Sequence, residues 1–165
     1  LSKEIVNPDK KDVDVAKFFE NLKAKVIVGE PAYRPSTDEI LLPKFEMFKD
    51  AESYWRVASH EYNHWTSHEK RCNRKISTEF GSLEYSREEL VAEIGSAFLT
   101  TYLGVGGDID GKYDQSAAYI KGWASSIKNE ADFFMKAASA AQRSCNFMIQ
   151  QQPDFVKEEF NDESN

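Results

Sequence analysis

At 165 residues the chain fits one domain and is long enough to bury a core of its own. Hydrophobic residues at 41% and charged ones at 30% read as a soluble globular chain, and no apolar run approaches the ~18 residues of a membrane span. A net charge of −7 argues against non-specific nucleic-acid binding by the whole domain, though not against a local basic patch.

Leu1-Ser2-Lys3-Glu4-Ile5 forms no signal peptide and lacks an initiator Met, so the chain reads as cut from something longer or trimmed. Val13, Phe18, Phe19 and Leu22 predict a short amphipathic helix over 13–22. Lys25–Val28 reads as a strand stopped by Gly29. Two more strands are expected at 31–35 and 39–43, joined by the turn chemistry of Ser36-Thr37-Asp38, with Pro35 and Pro43 marking an edge or the strand ends. From Asp50, a helix cap, the pattern becomes helical, with Tyr54, Ala58, Tyr62 and Trp65 as the buried stripe. After a loop at about 72–81, Ser82 or Ser86 starts a second long helix that Gly104 ends. A Gly- and Asp-rich loop follows. A third helical run then carries Ile120, Trp123 and Ile127, and a fourth, about 130–150, turns Phe134, Ala138 and Ala141 inward. Residues 1–152 are expected to form a single domain and 153–165 an acidic, flexible tail. The order, a small sheet and then helices, is α+β.

His60-Glu61-Tyr62-Asn63-His64 is an HExxH pattern inside the best-supported helix. Residues four apart on a helix rise about 6 Å and differ by only ~40° in direction, so two imidazoles can converge on one ion at about 2.0–2.1 Å each. Glu61 can then take a proton from a water that the metal acidifies. A third protein ligand is needed. His68 lies about 12 Å along a continuous helix from His60, which reads as a surface residue, or one that supports a ligand from behind, rather than a ligand. The remaining candidates are Glu88, Glu89 and Glu93 on the next helix; of Glu89 and Glu93, which share a face, one could bind the ion while the other accepts a hydrogen bond from a ligand histidine. Against this, Ser86-x-x-Glu89 reads as a capping box, a role that vanishes if the helix starts at Ser82.

Several blocks in the same order, Ala32-Tyr33-x-Pro35…Asp38-x-Ile40-x-x-Pro43, His60-Glu61-x-x-His64-Trp65-Thr66-x-His68, Phe80-Gly81-Ser82, Glu88-Glu89-Leu90-Val91-Ala92-Glu93-Ile94-Gly95 and Ala117-Ala118-Tyr119-Ile120-x-x-Trp123, resemble the zincin-like metallopeptidase domain of ArdC-type antirestriction proteins, TraC-type plasmid primases and phage polyvalent proteins. The resemblance spans about residues 12–150; Arg34 and Tyr62 depart from it without touching the metal pattern. It implies a gluzincin-type zincin fold, a small N-terminal sheet followed by a mainly helical bundle. It also implies one Zn2+ per chain, other divalent metals being open, held by His60, His64 and Glu89. Glu93 would orient a ligand histidine, and Ile40 to Pro43, with Ile40 and Leu42 toward substrate, would form an edge strand along the cleft. A protein or peptide substrate and the cytoplasm of a bacterial host follow from the same resemblance. ArdC-type proteins carry a single-stranded-DNA-binding domain N-terminal to this one, and this chain is read as beginning too late to include it.

Lys70, Arg71, Arg74 and Lys75 cluster after the motif helix and read as a solvated loop more readily than as a nucleic-acid contact. Tyr113 and Tyr119 are candidates for stabilising an oxyanion, with core packing as the plainer role for Tyr119. Asp108 and Asp110 only faintly suggest a calcium loop. The two cysteines, Cys72 and Cys145, sit in no CxxC pair and fit a reduced, cytosolic protein, with Cys72 a weak candidate ligand. Peptide hydrolysis by Glu61 is the reading. Its rivals are a metal-stabilised antirestriction or binding module without proteolysis, and a structural zinc with a closed shell. Oligomeric state is left open.

Overall fold

The computed structural model describes residues 14–77, 79–105 and 130–155. Helix α1 (Val15–Asn21) is capped by Asp14, whose carboxylate accepts from the Lys17 amide at 3.0 Å. Its Phe18 and Phe19 are buried, and Phe19 stacks on Trp55 with ring centroids 5.3 Å apart. Strands β1 (Lys25–Val28), β2 (Ala32–Arg34) and β3 (Glu39–Leu42) form a mixed sheet in the order β1-β3-β2, with β1 parallel and β2 antiparallel to β3. The turn between β2 and β3 places Asp38 at φ 52°, a left-handed conformation that Asp tolerates.

The expectation of Ile40 to Pro43 as an edge strand is overturned. β3 is the middle strand, with all four of its residues buried and Ile40 fully so, so neither Ile40 nor Leu42 faces a substrate. Glu39-Ile40-Leu41-Leu42 lacks the apolar–polar alternation of a half-exposed strand, as suits one covered on both faces. Pro35 and Pro43 lie just outside the strands, where a missing N–H costs no ladder bond. β2 is an edge of the described sheet.

Helix α2 (Ala51–Trp65) starts at Asp50, whose side chain accepts from the Ser53 amide at 2.7 Å, and α3 (Leu83–Tyr102) starts at Ser82, whose hydroxyl accepts from the Tyr85 amide at 3.1 Å. The start at Ser82 removes the capping-box role from Glu89. Gly104, at φ 66°, takes the left-handed turn after α3. Helix α4 (Glu130–Gln150) packs along α3. Its inward face begins one residue earlier than expected: Phe133 and Ala137 are buried while Phe134 is exposed. The Phe133-Phe134 doublet leaves the register open in sequence. The structure fixes it further along, where buried Ser144 donates to Asn63 Oδ1 at 2.6 Å. One apolar cluster joins α1, β3, α2, the end of α3 and the end of α4; a second, of Leu90, Val91, Ile94, Phe133, Ala137, Ala140 and Ala141, lies between α3 and α4. No helix among the described residues is long and apolar enough to cross a membrane. The expected helical run over 116–127, with Tyr113, Tyr119, Asp108 and Asp110, lies outside the described residues, as does the chain beyond 155.

Candidate metal centre

Helical spacing on α2 carries His60 and His64 to the same side, with ring centroids 4.8 Å apart and Nε2 atoms 3.1 Å apart. α3 lays Glu89 across them: one carboxylate oxygen is 3.6 Å from His60 Nε2 and the other 3.4 Å from His64 Nε2. These three side chains alone group as possible metal-holding donors among the described residues. Two donors about 2.0–2.1 Å from a tetrahedral ion stand roughly 3.3 Å apart. The 3.1 Å between the two Nε2 atoms fits such an ion, and Glu89 turns a different oxygen to each nitrogen, with one ligand atom from each residue lying within 4.8 Å of the others; two imidazoles with a carboxylate suit zinc or manganese.

The outward nitrogens are served as well. His60 Nδ1 is 3.4 Å from Glu93 Oε1, the partner expected for Glu93, and His64 Nδ1 is 3.2 Å from Glu88 Oε1. Adjacent acids on one helix thus do different work: Glu89 points between the imidazoles, while Glu88 reaches behind His64. Burial of the His60 ring opposes its charged form, but the carboxylates of Glu89 and Glu93 outweigh it and push the imidazole up to about 10. Glu89 is itself buried enough to resist ionisation, yet its hydrogen bonds from both histidines hold its carboxyl well below the usual range. Glu61 is buried on the same helix. Burial pushes its carboxyl up, only partly offset by the charges of His60 and His64 and by a hydrogen bond from the backbone of Tyr33 on edge strand β2. A carboxyl raised above its ordinary range beside a metal-ligand set suits proton transfer.

His68 lies outside the donor group. α2 ends at Trp65, and His68 Nδ1 accepts from the Lys70 amide at 3.2 Å. Cys72 is also outside it, its thiol directed at the Arg143 carbonyl 3.8 Å away. The loop that carries Arg71 and Arg74 is not a freely solvated run. Arg71 pairs with Asp38 and lies over the Trp65 ring at 3.9 Å, and Arg74 pairs with Glu88. Sequence reasoning named Glu88 without giving it a task and read Arg74 only as part of a solvated basic loop. Charge alone hinted at both, since an acid and a base on either side of a loop carry no spacing rule that pairs them.

Residues 13–140 match the family model described as zincin-like metallopeptidase. The chain is 39% identical over 117 residues to a DNA primase TraC of Escherichia coli, which covers 71% of this chain and 11% of the primase. It is 35% identical over 127 residues to protein y4eC of Sinorhizobium fredii (strain NBRC 101917 / NGR234), covering 77% of this chain and 40% of y4eC. The Mn(II)-bound crystal structure of antirestriction protein ArdC from plasmid R388 is similar at 31% identity with a TM-score of 0.71, over 88% of this chain and 54% of ArdC. The metal-free ArdC structure is similar with a TM-score of 0.68. The chain thus spans about a tenth of the primase and about half of ArdC.

Proposed function

The chain belongs to the zincin-like metallopeptidase family, and from that premise we propose that it is the peptide-hydrolysing domain of an ArdC-like antirestriction or mobile-element protein. The observation that carries this reading is the convergence of His60, His64 and Glu89 on one point beside a buried Glu61 of raised pKa.

His60, His64 and Glu89 would hold a divalent ion, zinc by preference, with manganese supported by the ArdC structure that contains it. When bound, such an ion supplies Lewis acidity that acidifies water and polarises a carbonyl. Glu61 accepts the proton of the attacking water and delivers it to the departing amine, so that one carboxyl serves as base and then as acid. Glu93 and Glu88 accept from the Nδ1–H groups and so keep both Nε2 lone pairs free for the ion. The similarity of the chain to both metal-loaded and metal-free ArdC supports an ion that is not needed to hold the fold, as in a catalytic site.

The relatives' names favour a second reading. Two of them speak of a DNA primase and of antirestriction, which supports a metal-containing module that acts by binding. A DNA-binding region N-terminal to this domain, and action in the cytoplasm of a bacterial host, belong to either reading. Glu61→Gln separates them. Cleavage is scored by mapping new N-termini in a host protein extract, beside a restriction-protection assay. Proteolysis predicts that the variant keeps its metal and loses both readouts; protection that survives the substitution excludes proteolysis as its cause.

A further inference from the structure

The loop after α2 turns back onto the metal centre through one side chain. Arg74 donates from Nε to Glu88 Oε2 at 2.9 Å and from Nη2 to Glu88 Oε1 at 2.8 Å, a two-pronged pair whose side chains are only 12% and 6% exposed. The same guanidinium reaches Thr66 Oγ1 at 2.9 Å and the Asn63 carbonyl at 2.7 Å. It is therefore anchored to the last turn of α2, where carbonyls lack helical partners. The Glu88 oxygen that takes the Nη2 hydrogen is the one 3.2 Å from His64 Nδ1. Three groups from three segments, loop, α3 and α2, thus stand in one line of hydrogen bonds.

We propose that Arg74 is a positioning residue for the metal centre. It fixes Glu88 as an ionised acceptor in one orientation. That makes Nδ1 the protonated nitrogen of His64 and aims its Nε2 lone pair at the ion. The proposal rests on the reading of His60, His64 and Glu89 as the metal ligands. The fork matters as much as the charge, because a lysine ammonium could not span both Glu88 oxygens while also holding the end of α2. The two histidines differ in this respect: Glu93, behind His60, is 30% exposed, whereas Glu88, behind His64, is 6% exposed and gripped by Arg74. His64 is the prearranged ligand of the pair.

The test measures zinc affinity by chelator competition, and the visible absorption of the cobalt-substituted chain, for Arg74→Met, Arg74→Lys and Glu88→Gln. Arg71→Met is the control. Arg71 lies in the same loop with its side chain only 9% exposed, but it pairs with Asp38 and Trp65 and touches no metal ligand. Arg74→Met and Glu88→Gln are expected to weaken zinc binding roughly 10- to 100-fold and to alter the cobalt bands, with Arg74→Lys between them and wild type. Arg71→Met should lower Tm while leaving both metal readouts unchanged. If Arg74→Met does not fold, Arg74→Lys and Glu88→Gln decide. Variants that lose Tm but keep wild-type affinity and cobalt spectrum would reduce Arg74 to a clamp on the loop and overturn the proposal. A wild-type chain that takes up neither zinc nor cobalt would instead remove the metal centre on which it rests.

Discussion

Gly95 of α3 lies so close to Asn63 of α2 that a β-carbon built on it would overlap the Asn63 amide oxygen and stand 2.5 Å from its Cγ. Asn63 cannot yield, because it is fully buried and held at both ends of its amide. Its Nδ2 donates to the Ser59 carbonyl at 2.8 Å and its Oδ1 accepts from Ser144 at 2.6 Å. Three helices therefore meet through one side chain, immediately before His64 and two residues beyond Glu93 on the facing helix. In an unencumbered helix, Gly→Ala gains about 0.5–1 kcal/mol. Here the sign reverses, and Gly95→Ala is expected to cost about 1–3 kcal/mol in urea denaturation, with weaker metal binding as α2 and α3 are forced apart. A stabilised Gly95→Ala protein would contradict this approach of the two helices.

Metal addition gives the next prediction. An ion that binds only the folded chain raises stability by about 2.7 kcal/mol at a hundredfold excess over Kd. The gain should vanish in His60→Ala and Glu89→Ala and persist in Glu61→Gln, His68→Ala and Cys72→Ala, since the last two side chains are turned to the Lys70 amide and the Arg143 carbonyl. Thermal melts with and without zinc measure it. Loss of the gain in His68→Ala or Cys72→Ala would point to a closed, structural shell instead.

The parts of this molecule governed by period and local chemistry were legible in the sequence. The cap Asp50, the turn at Asp38, the α+β order and the pairing of His60 with His64 depend on residues a few positions apart, whereas the start of α3 was left between Ser82 and Ser86 until the structure placed it at Ser82. Glu89 was reachable as one of three acids on a helix, but choosing among them needed the resemblance, because a helical spacing does not say which neighbour another helix will face. What escaped depends on long-range pairing. β3 takes the middle of the sheet because it is covered on both faces, a fact about layers rather than about Pro35 and Pro43. Arg74 meets Glu88 only because the loop folds back, and the Phe133 register of α4 is set by Ser144 meeting Asn63.

Acid should unpick the sheet-to-loop junction through Asp38. Its carboxylate accepts from the Tyr33 hydroxyl at 3.0 Å and from Arg71 Nη1 at 3.0 Å. Burial opposes its charge, but the hydrogen bonds from Arg71 and Tyr33 prevail and hold the carboxyl below its usual range. A depressed folded pKa means that the contribution is complete above the unfolded value of about 3.9 and is lost as pH falls through the folded one. Asp38→Asn should therefore be less stable than wild type by a constant margin near neutrality, and the margin should close below about pH 4. Urea midpoints across that range test it; a margin unchanged at the acid end would mean that the carboxylate charge is not what Arg71 engages.

Ser59, the residue before His60, carries the opposite expectation. It is fully buried, and its hydroxyl oxygen has no hydrogen-bond partner among the described residues. An unpaired buried hydroxyl costs about 1–3 kcal/mol, and alanine is also the better helix former by a few tenths of a kcal/mol. The service that Ser59 gives its neighbours comes from its backbone carbonyl, which accepts from Asn63 Nδ2 and survives the substitution. Ser59→Ala is thus expected to leave stability unchanged or raise it by up to about 1 kcal/mol, with metal affinity intact, because His60 is held by α2 and by Glu93 rather than by the hydroxyl beside it. Equilibrium denaturation decides: a loss of more than about 1 kcal/mol would show that the hydroxyl has a partner, and that this turn of α2 is tied down by a bond beyond those to Asn63 and Glu93.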